Sequence, residues 1–378
     1  MSKKVIGYII LVKLILIGVA ILLFGDTITR TVFAPTDTSI ENITSDGDVS
    51  IKDEVIVRAS QLSVPWAVEP LHDGTILATE RTGNLLHIPT DGSVTRISVP
   101  DVESTGEGGL LGVVTHPSFE TNRLIYLYVT HETDIGVRNR VMQYRFMEGV
   151  LDQEKIIIDA IPGARYHDGG QLAIGPDAKL YVTTGDAGEG DMAQDKDSLA
   201  GKILRLNLDG SIPQDNPFDS AVYSFGHRNP QGLAWDDEGQ LWSSEHGRSG
   251  VKSGFDELNK IIEGGNYGWP IIEGDEEAED MITPVVHSGP DDTWAPASLA
   301  FVDGTFYWGG LRGQALYAVD KTGNNSVDNV RMYFREKYGR LRAVVPSLDN
   351  GSLYITTSNT DGRGKPLDGD DKIIEISL

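Results

Sequence analysis

Asp73-Gly74-Thr75-Ile76-Leu77-Ala78-Thr79 sets a turn pair ahead of a short run of apolar and small polar residues. The arrangement returns as Asn122-Arg123-Leu124-Ile125-Tyr126-Leu127-Tyr128, as Asp177-Ala178-Lys179-Leu180-Tyr181-Val182-Thr183-Thr184, and as Glu238-Gly239-Gln240-Leu241-Trp242-Ser243-Ser244. Asp303-Gly304-Thr305-Phe306-Tyr307-Trp308 and Asn350-Gly351-Ser352-Leu353-Tyr354-Ile355-Thr356-Thr357 complete six copies. Gly, Asn and Asp tolerate the backbone of tight turns, and short runs rich in β-branched and aromatic residues read as strands. A spacing of about 47–65 residues accommodates one four-stranded sheet per copy. The pattern therefore predicts an all-β fold, a six-bladed β-propeller over residues 54–378. Radial closure leaves only short, protected sheet edges, which keeps so long a β chain soluble. The final strand, Lys372-Ile373-Ile374-Glu375-Ile376, is placed to pair with Val55-Ile56-Val57 and shut the ring. A sandwich or solenoid with imperfect repeats is the competing architecture.

Composition agrees with the β reading. Gly at 43 residues, Pro at 17 and 39% hydrophobic residues suit many short strands and turns better than long amphipathic helices. The formal charge is −24. Lys3, Lys4, Lys13 and Arg30 against Asp26 give the N-terminal piece +3, so the remainder carries −27. Such a surface repels phosphate backbones, and nucleic acid is excluded as a partner. In so acidic a chain, an Arg at a turn or loop is the residue to watch. No cysteine is present, so neither disulfides nor thiolate metal sites contribute.

The first residues differ from the rest. Lys3 and Lys4 precede an apolar run from Val5 to Gly25, interrupted only by Lys13 and long enough for a hydrocarbon core of about 30 Å. The run exceeds the roughly 7–15 residues of a cleaved signal core, and Val32-Phe33-Ala34, the nearest cleavage-like site, lies well beyond it. Residues 1–34 are therefore expected to form a membrane anchor, a transmembrane helix rather than a cleaved signal segment. Residues 35–53, rich in Thr, Ser and Asp, read as a polar linker. This orientation places the body outside the cytoplasm, tethered to the cell membrane.

In a propeller, loops at one end of the channel converge, so a site is sought in several loops at once. Glu107-Gly108-Gly109-Leu110-Leu111-Gly112 is the first. Tyr166-His167-Asp168-Gly169-Gly170-Gln171-Leu172 offers an imidazole, whose ordinary pKa of ~6.5 suits proton acceptance. Tyr223-Ser224-Phe225-Gly226-His227-Arg228-Asn229-Pro230-Gln231-Gly232-Leu233 offers a guanidinium fork beside a directional amide. Glu245-His246-Gly247-Arg248, Asp256-Glu257-Leu258-Asn259 and Gly265-Asn266-Tyr267-Gly268-Trp269-Pro270 supply the carboxylate and carbonyl oxygens that calcium favours. Gly310-Leu311-Arg312 and Gly339-Arg340-Leu341-Arg342 add cations, and Arg340 and Arg342 point the same way if the segment is extended.

In their shared order, these loops resemble the glucose/sorbosone dehydrogenase family, whose members use pyrroloquinoline quinone (PQQ) and calcium. The likeness runs from Leu62 to the end and is nearest to the broad-specificity aldose dehydrogenase branch. It implies that His167 is the base for the C1 hydroxyl of an aldose. Arg228 would act near the reacting carbonyl and hold the quinone with Asn229. Glu107, Gly310, Leu311, Arg312, Arg340, Leu341 and Arg342 would line the cofactor. Glu257 and the Tyr267 carbonyl would bind one calcium, and the carbonyls of Gly247 and Arg248 the ion that bridges to the quinone. His227 reads as structural. The chain departs from the family in having Glu107 for the usual glutamine, Arg248 for the usual proline and Arg312 for a frequent lysine. The acidic stretch from Glu273 to Asp280 matches no family pattern. The implied reaction is oxidation of an aldose to its lactone, with electrons leaving to an unidentified acceptor. A calcium-dependent propeller lactonase and a non-catalytic propeller binding protein are the rival readings.

Overall fold

The computed structural model describes residues 51, 55–147, 149–249 and 253–378. The expected membrane anchor and nearly all of the linker lie outside the described residues. Among those described, no helix is long and apolar enough to cross a membrane.

Six antiparallel sheets follow one another along the chain. Blade 1 comprises Pro65–Pro70, Ile76–Glu80, Asn84–Ile88 and Thr95–Ser98. Blade 2 comprises Leu110–Thr115, Leu124–Thr133, Gly136–Met147 and Val150–Pro162, and blade 3 comprises Leu172–Ile174, Leu180–Thr184, Lys202–Leu206 and Val222–Phe225. Blade 4 is Pro230–Trp235, Leu241–Glu245, Glu257–Lys260 and Val286–His287. Blade 5 is Ala300–Val302, Thr305–Gly310, Ala315–Gly323 and Ser326–Val327, with Arg331–Tyr333 also pairing on its third strand. Blade 6 takes Leu341–Pro346, Ser352–Thr357 and Ile373–Ser377 from the end of the chain and Val55–Ala59 from its beginning. The predicted closure is present: Val55 pairs with Ile376, Ile56 with Glu375 and Val57 with Ile374. The first strand of each blade packs on the first strand of the next, and Leu341–Pro346 returns to Pro65–Pro70, so the innermost strands form a closed ring.

Each of the six repeated segments is the second strand of its blade. Sequence alternation suggests one wet face, yet Ile76–Glu80, Leu180–Thr184, Leu241–Glu245 and Ser352–Thr357 are buried at every position. Neighbouring blades cover both faces, so the small polar residues must bond inside the protein. They do so in a repeated way. Thr79, Thr183 and Thr356 each accept through Oγ1 from an N–H of the preceding inner strand, those of Ala67 (3.1 Å), Gln171 (2.9 Å) and Ala343 (2.9 Å).

The inner strands carry register shifts at Pro65/Val68, Leu110/Val113, Pro230/Gly232 and Leu341/Val344. Bulges re-aim side chains, and these leave Trp66, Gln231 and Arg342 in the displaced positions. Arg342 lies over the Trp66 ring at 5.5 Å and reaches Gln231 Oε1 at 3.4 Å. Because all blades run the same way, the turns between first and second strands lie at one end of the channel. Loops between second and third strands, and the links between blades, gather at the other. Every candidate site loop belongs to that second end except residues 265–270, which lie in the long connection between the third and fourth strands of blade 4 and reach the site through the Trp269 indole, bonded to Asp186.

Candidate active site at the channel mouth

His167 sits in the link between blades 2 and 3, in the left-handed backbone region at φ 64°. A β-carbon on Gly185 would collide with its carbonyl oxygen, so a glycine is required where the next loop passes. Neighbours fix the segment. Tyr128 Oη donates to the Asp168 carbonyl at 2.7 Å, and Asn139 Nδ2 donates to Asp168 Oδ1 at 3.0 Å. Burial raises the Asp168 carboxyl to about 7.

The imidazole meets Asp186, with Nδ1 2.7 Å from Oδ1. Asp186 is buried, which alone would raise its pKa. The contact with His167, the Gly188 N–H and the Trp269 indole N–H (2.8 Å) reverse this and hold it below the usual carboxylate range. An ionised Asp186 accepts the Nδ1 proton, which leaves the Nε2 lone pair as the basic site. The His167 side chain keeps 15% of its surface open, so that nitrogen can be reached.

Arg228 and Asn229 open blade 4 beside this pair. The Arg228 guanidinium lies over Trp269 at 5.3 Å, and its backbone carbonyl accepts from Asp186 N–H at 2.8 Å. Glu245 holds the backbone by accepting from both Arg228 N and Asn229 N. Arg228 Nη2 donates to Ser249 Oγ at 3.1 Å, while its Nε is buried without a hydrogen-bond partner among the described residues. Asn229 Oδ1 accepts from Gly169 N–H at 3.0 Å, and its Nδ2 is another buried donor without a partner among them. His227, as expected, is structural: fully buried, it bonds Glu245 and Ser224 at 2.8 Å each and stacks on Tyr267.

One open cavity of about 70 Å³ collects Glu107, Gly247, Arg248, Leu311, Arg312 and Arg340, with His246 and Arg363. Residues from distant parts of the chain thus meet in one place. Glu107 is buried, which favours its neutral form. Even so, Arg363 Nη1 at 2.9 Å from Oε1 and the His167 N–H at 3.0 Å from Oε2 bring it down to about 2. The glutamate in place of the family's glutamine therefore stands as half of an ion pair and presents no net charge to the pocket. Arg340 donates from Nε and Nη2 to Asp361 Oδ2 and from Nη1 to the Leu311 carbonyl. Arg342 lies 5% exposed beneath it and has no carboxylate at ion-pair distance among the described residues. Arg312 Nη1 donates to Ser253 Oγ. Gly310 ends the second strand of blade 5 against the Tyr317 ring. The Leu341 side chain is buried in the core, so only its backbone could face a ligand.

Gly247, Glu257 and Tyr267 border a smaller adjoining cavity together with Glu245 and Glu273. Glu257 stands directly across the ladder from Glu245. Burial first, then this neighbour, raise the Glu257 carboxyl to about 8. Two carboxylates in register are destabilising without a cation. No three His, Asp or Glu side chains form a metal site by themselves among the described residues, so backbone carbonyls would have to complete one. Arg248 turns its side chain away: it lies over Phe255 at 4.8 Å and pairs with Glu273 at 3.1 Å. One departure from the family pattern, the arginine, is thus paired with the first acid of the other, the acidic stretch.

Asp186, Asp361 and Arg363 were not singled out from the sequence, and Trp269 stood there only as part of the 265–270 motif, with no role given to it. Arg363 alone carried a legible signal, a cation in a Gly-rich loop of an acidic chain.

These features define a class: a six-bladed propeller whose channel mouth joins a carboxylate-tethered histidine to a cationic ligand pocket. Residues 62–367 match the family model described as Glucose / Sorbosone dehydrogenase, and the chain belongs to that family. Among solved structures, it superposes with TM-score 0.80 on the PQQ-bound form of aldose sugar dehydrogenase from Streptomyces coelicolor. That pair is 37% identical, covering 87% of this chain and 99% of the other. It also superposes with TM-score 0.80 on a putative oxidoreductase (glucose dehydrogenase) from Thermus thermophilus, at 40% identity over 85% and 99% of the two chains. Quinoprotein glucose dehydrogenase B of Acinetobacter calcoaceticus is 38% identical over 254 residues, 58% of this chain. The match spans about half of that relative, 52% of its length.

Proposed function

We propose that the protein is a quinoprotein aldose dehydrogenase that oxidises a sugar at C1 to the lactone, with PQQ and calcium as cofactors. The observation that carries this reading is the Asp186-tethered His167 at a channel mouth where Arg228 Nε, Asn229 Nδ2 and Arg342 Nε are buried donors without partners among the described residues. Such donors are costly unless an acceptor-rich ligand reaches them. A tricarboxylated quinone fits that donor set, and the Glu245–Glu257 register with the carbonyls of Gly247, Arg248 and Tyr267 fits calcium.

PQQ, when bound, supplies the two-electron acceptor for the hydride leaving C1. The chain's own residues do the rest. His167 Nε2 takes the C1 hydroxyl proton, and Asp186 steadies the imidazolium that results. Arg228 and Asn229 present fixed donors to the oxygen on which charge grows. Trp269 braces both Asp186 and Arg228. Arg312, Arg340 and Arg342, with the backbones of Gly310, Leu311 and Leu341, would hold the cofactor's carboxylates, and Glu107 positions His167 by accepting from its N–H. The sugar enters from solvent. The electrons pass to an acceptor outside the chain, a small redox protein or a membrane quinone, consistent with an extracytoplasmic body held by the N-terminal segment. A lactonase has no use for so many guanidinium groups at its mouth.

Purified protein titrated with PQQ and calcium, then assayed for dye reduction with a panel of aldoses, tests the reading. Saturable PQQ binding and sugar-dependent reduction are expected. Binding without turnover on any aldose would leave a binding protein in its place.

A further inference from the structure

Arg81 takes no part in the reading above, and its surroundings assign it one. It follows directly on the second strand of blade 1, and its backbone is fixed on both sides. Its N–H donates to the Val64 carbonyl and its carbonyl accepts from Leu110 N–H, both at 3.1 Å. Gly109, at φ 147°, presses on that same carbonyl, and a β-carbon there would collide with it. The arginine is thus held at the junction of blades 1 and 2, on the end of the channel that carries the site.

Its charged surroundings are Asp361, Arg363, Glu107 and Arg340, and it is in turn the foremost charged neighbour of Arg342. The two acids in this group are fully engaged. Asp361 Oδ2 accepts from Arg340, and Asp361 Oδ1 accepts from the Arg363 N–H at 2.9 Å. Glu107 Oε1 accepts from Arg363 and Oε2 from the His167 N–H. Arg81 and Arg342 remain without an acid, and the Nε of each is buried without a hydrogen-bond partner among the described residues. Guanidinium groups do not shed their protons in proteins, so they cannot relieve this by neutralising. Burial, and next the charge of Arg81, bring even Arg342 down to about 9. Arg342 is buried and Arg81 partly so, and neighbouring like charges are tolerated in such a place when an anion belongs with them.

We propose that Arg81 and Arg342 form a carboxylate clamp beside the pocket that Glu107, Arg340 and Arg363 line, and that Arg81 is a further binding residue for a carboxylate of the cofactor. The cofactor half of this statement rests on the function proposed above; the clamp itself does not. A planar fork from each of two blades matches a carboxylate better than either alone. It also ties blade 1 to blade 6 across the seam where the ring closes.

Arg81→Met in the purified protein tests the clamp by three readouts. PQQ affinity, followed by fluorescence quenching, is expected to fall about 10- to 100-fold, the usual loss for one charge-assisted hydrogen bond. Citrate, a simple tricarboxylate probe, is expected to raise the melting temperature of the wild type and not that of the variant. With nothing added, the variant should melt at or above the wild-type temperature, because a half-buried cation with no ion-pair partner among the described residues has been removed. Wild-type PQQ affinity in the variant would overturn the proposal. So would a clear drop in melting temperature before any anion is added, since that marks a structural brace. If the wild type binds no PQQ yet shows Arg81-dependent stabilisation by citrate, the clamp stands and the cofactor reading falls.

Discussion

Glu107→Gln separates a charge from a shape. Glutamine keeps the length of the side chain and an acceptor for the His167 N–H, but it gives up the ion pair with Arg363 at 2.9 Å. The Glu107 side chain is only 17% exposed, so solvent screens the pair weakly. Its drop from the ordinary 4.5 to about 2 corresponds to about 3 kcal/mol of folding free energy at neutral pH. The sign follows from the direction. A carboxyl with a depressed folded-state pKa stabilises the fold above its unfolded pKa, and that contribution is lost as the pH falls through the folded value. The wild type should therefore melt roughly 3–8 °C above the variant at pH 7, for a domain of this size. The gap should shrink to about half near pH 3. Differential scanning calorimetry of both proteins at pH 7, 5, 4 and 3 measures it. An equal gap at pH 7 and pH 3, or none at pH 7, would show that the pair does not hold the mouth together.

Three other perturbations bear on separate parts of the molecule. His167→Asn should lower kcat by about a thousandfold or more while leaving PQQ affinity within about threefold, and rapid turnover in the variant would remove His167 as the base. Gly109→Ala should cost at least about 2 kcal/mol in chemical denaturation, because it adds a β-carbon against the Arg81 carbonyl at a positive φ; near-wild-type stability would contradict the close approach. Calcium should raise the melting temperature of the wild type, chelation should reverse the rise, and Glu257→Gln should blunt it. An identical calcium response in the variant would move the ion elsewhere.

The sequence exposed the scaffold more readily than the site, and the geometry explains why. The Asp-Gly and Asn-Gly turns that betray the repeat all lie at the channel end opposite His167, where short turns merely return one strand to the next. They recur because their task recurs. Loops at the other end differ in length and content from blade to blade, so no period marks Asp186, Asp361 or Arg363. His167 and Arg228 were legible through the ordered motifs around them. Their partners were not, since an isolated Asp or Trp in an acidic chain carries no local signature. Arg81 was within reach of the rule that cations at turns in this chain are informative, but it directly follows a repeat strand and reads as scaffold. The small polar residues of the second strands were legible as part of the repeat but their partners were not: Thr79, Thr183 and Thr356 are buried and accept from N–H groups in or beside the inner strands.

The pairing of Val55–Ala59 with Ile373–Ser377 has a consequence for biosynthesis. The outermost strand of blade 6 is translated before blades 1 to 5, yet its partner is translated after them. Until that partner emerges, Arg340, Arg342 and Arg363 have no closed ring to sit in opposite Glu107 and Arg81, so the growing chain possesses no ligand mouth. A polypeptide cut short before Ile373 would be left with an unpaired edge as well as an incomplete pocket, and should be an early target for proteolysis.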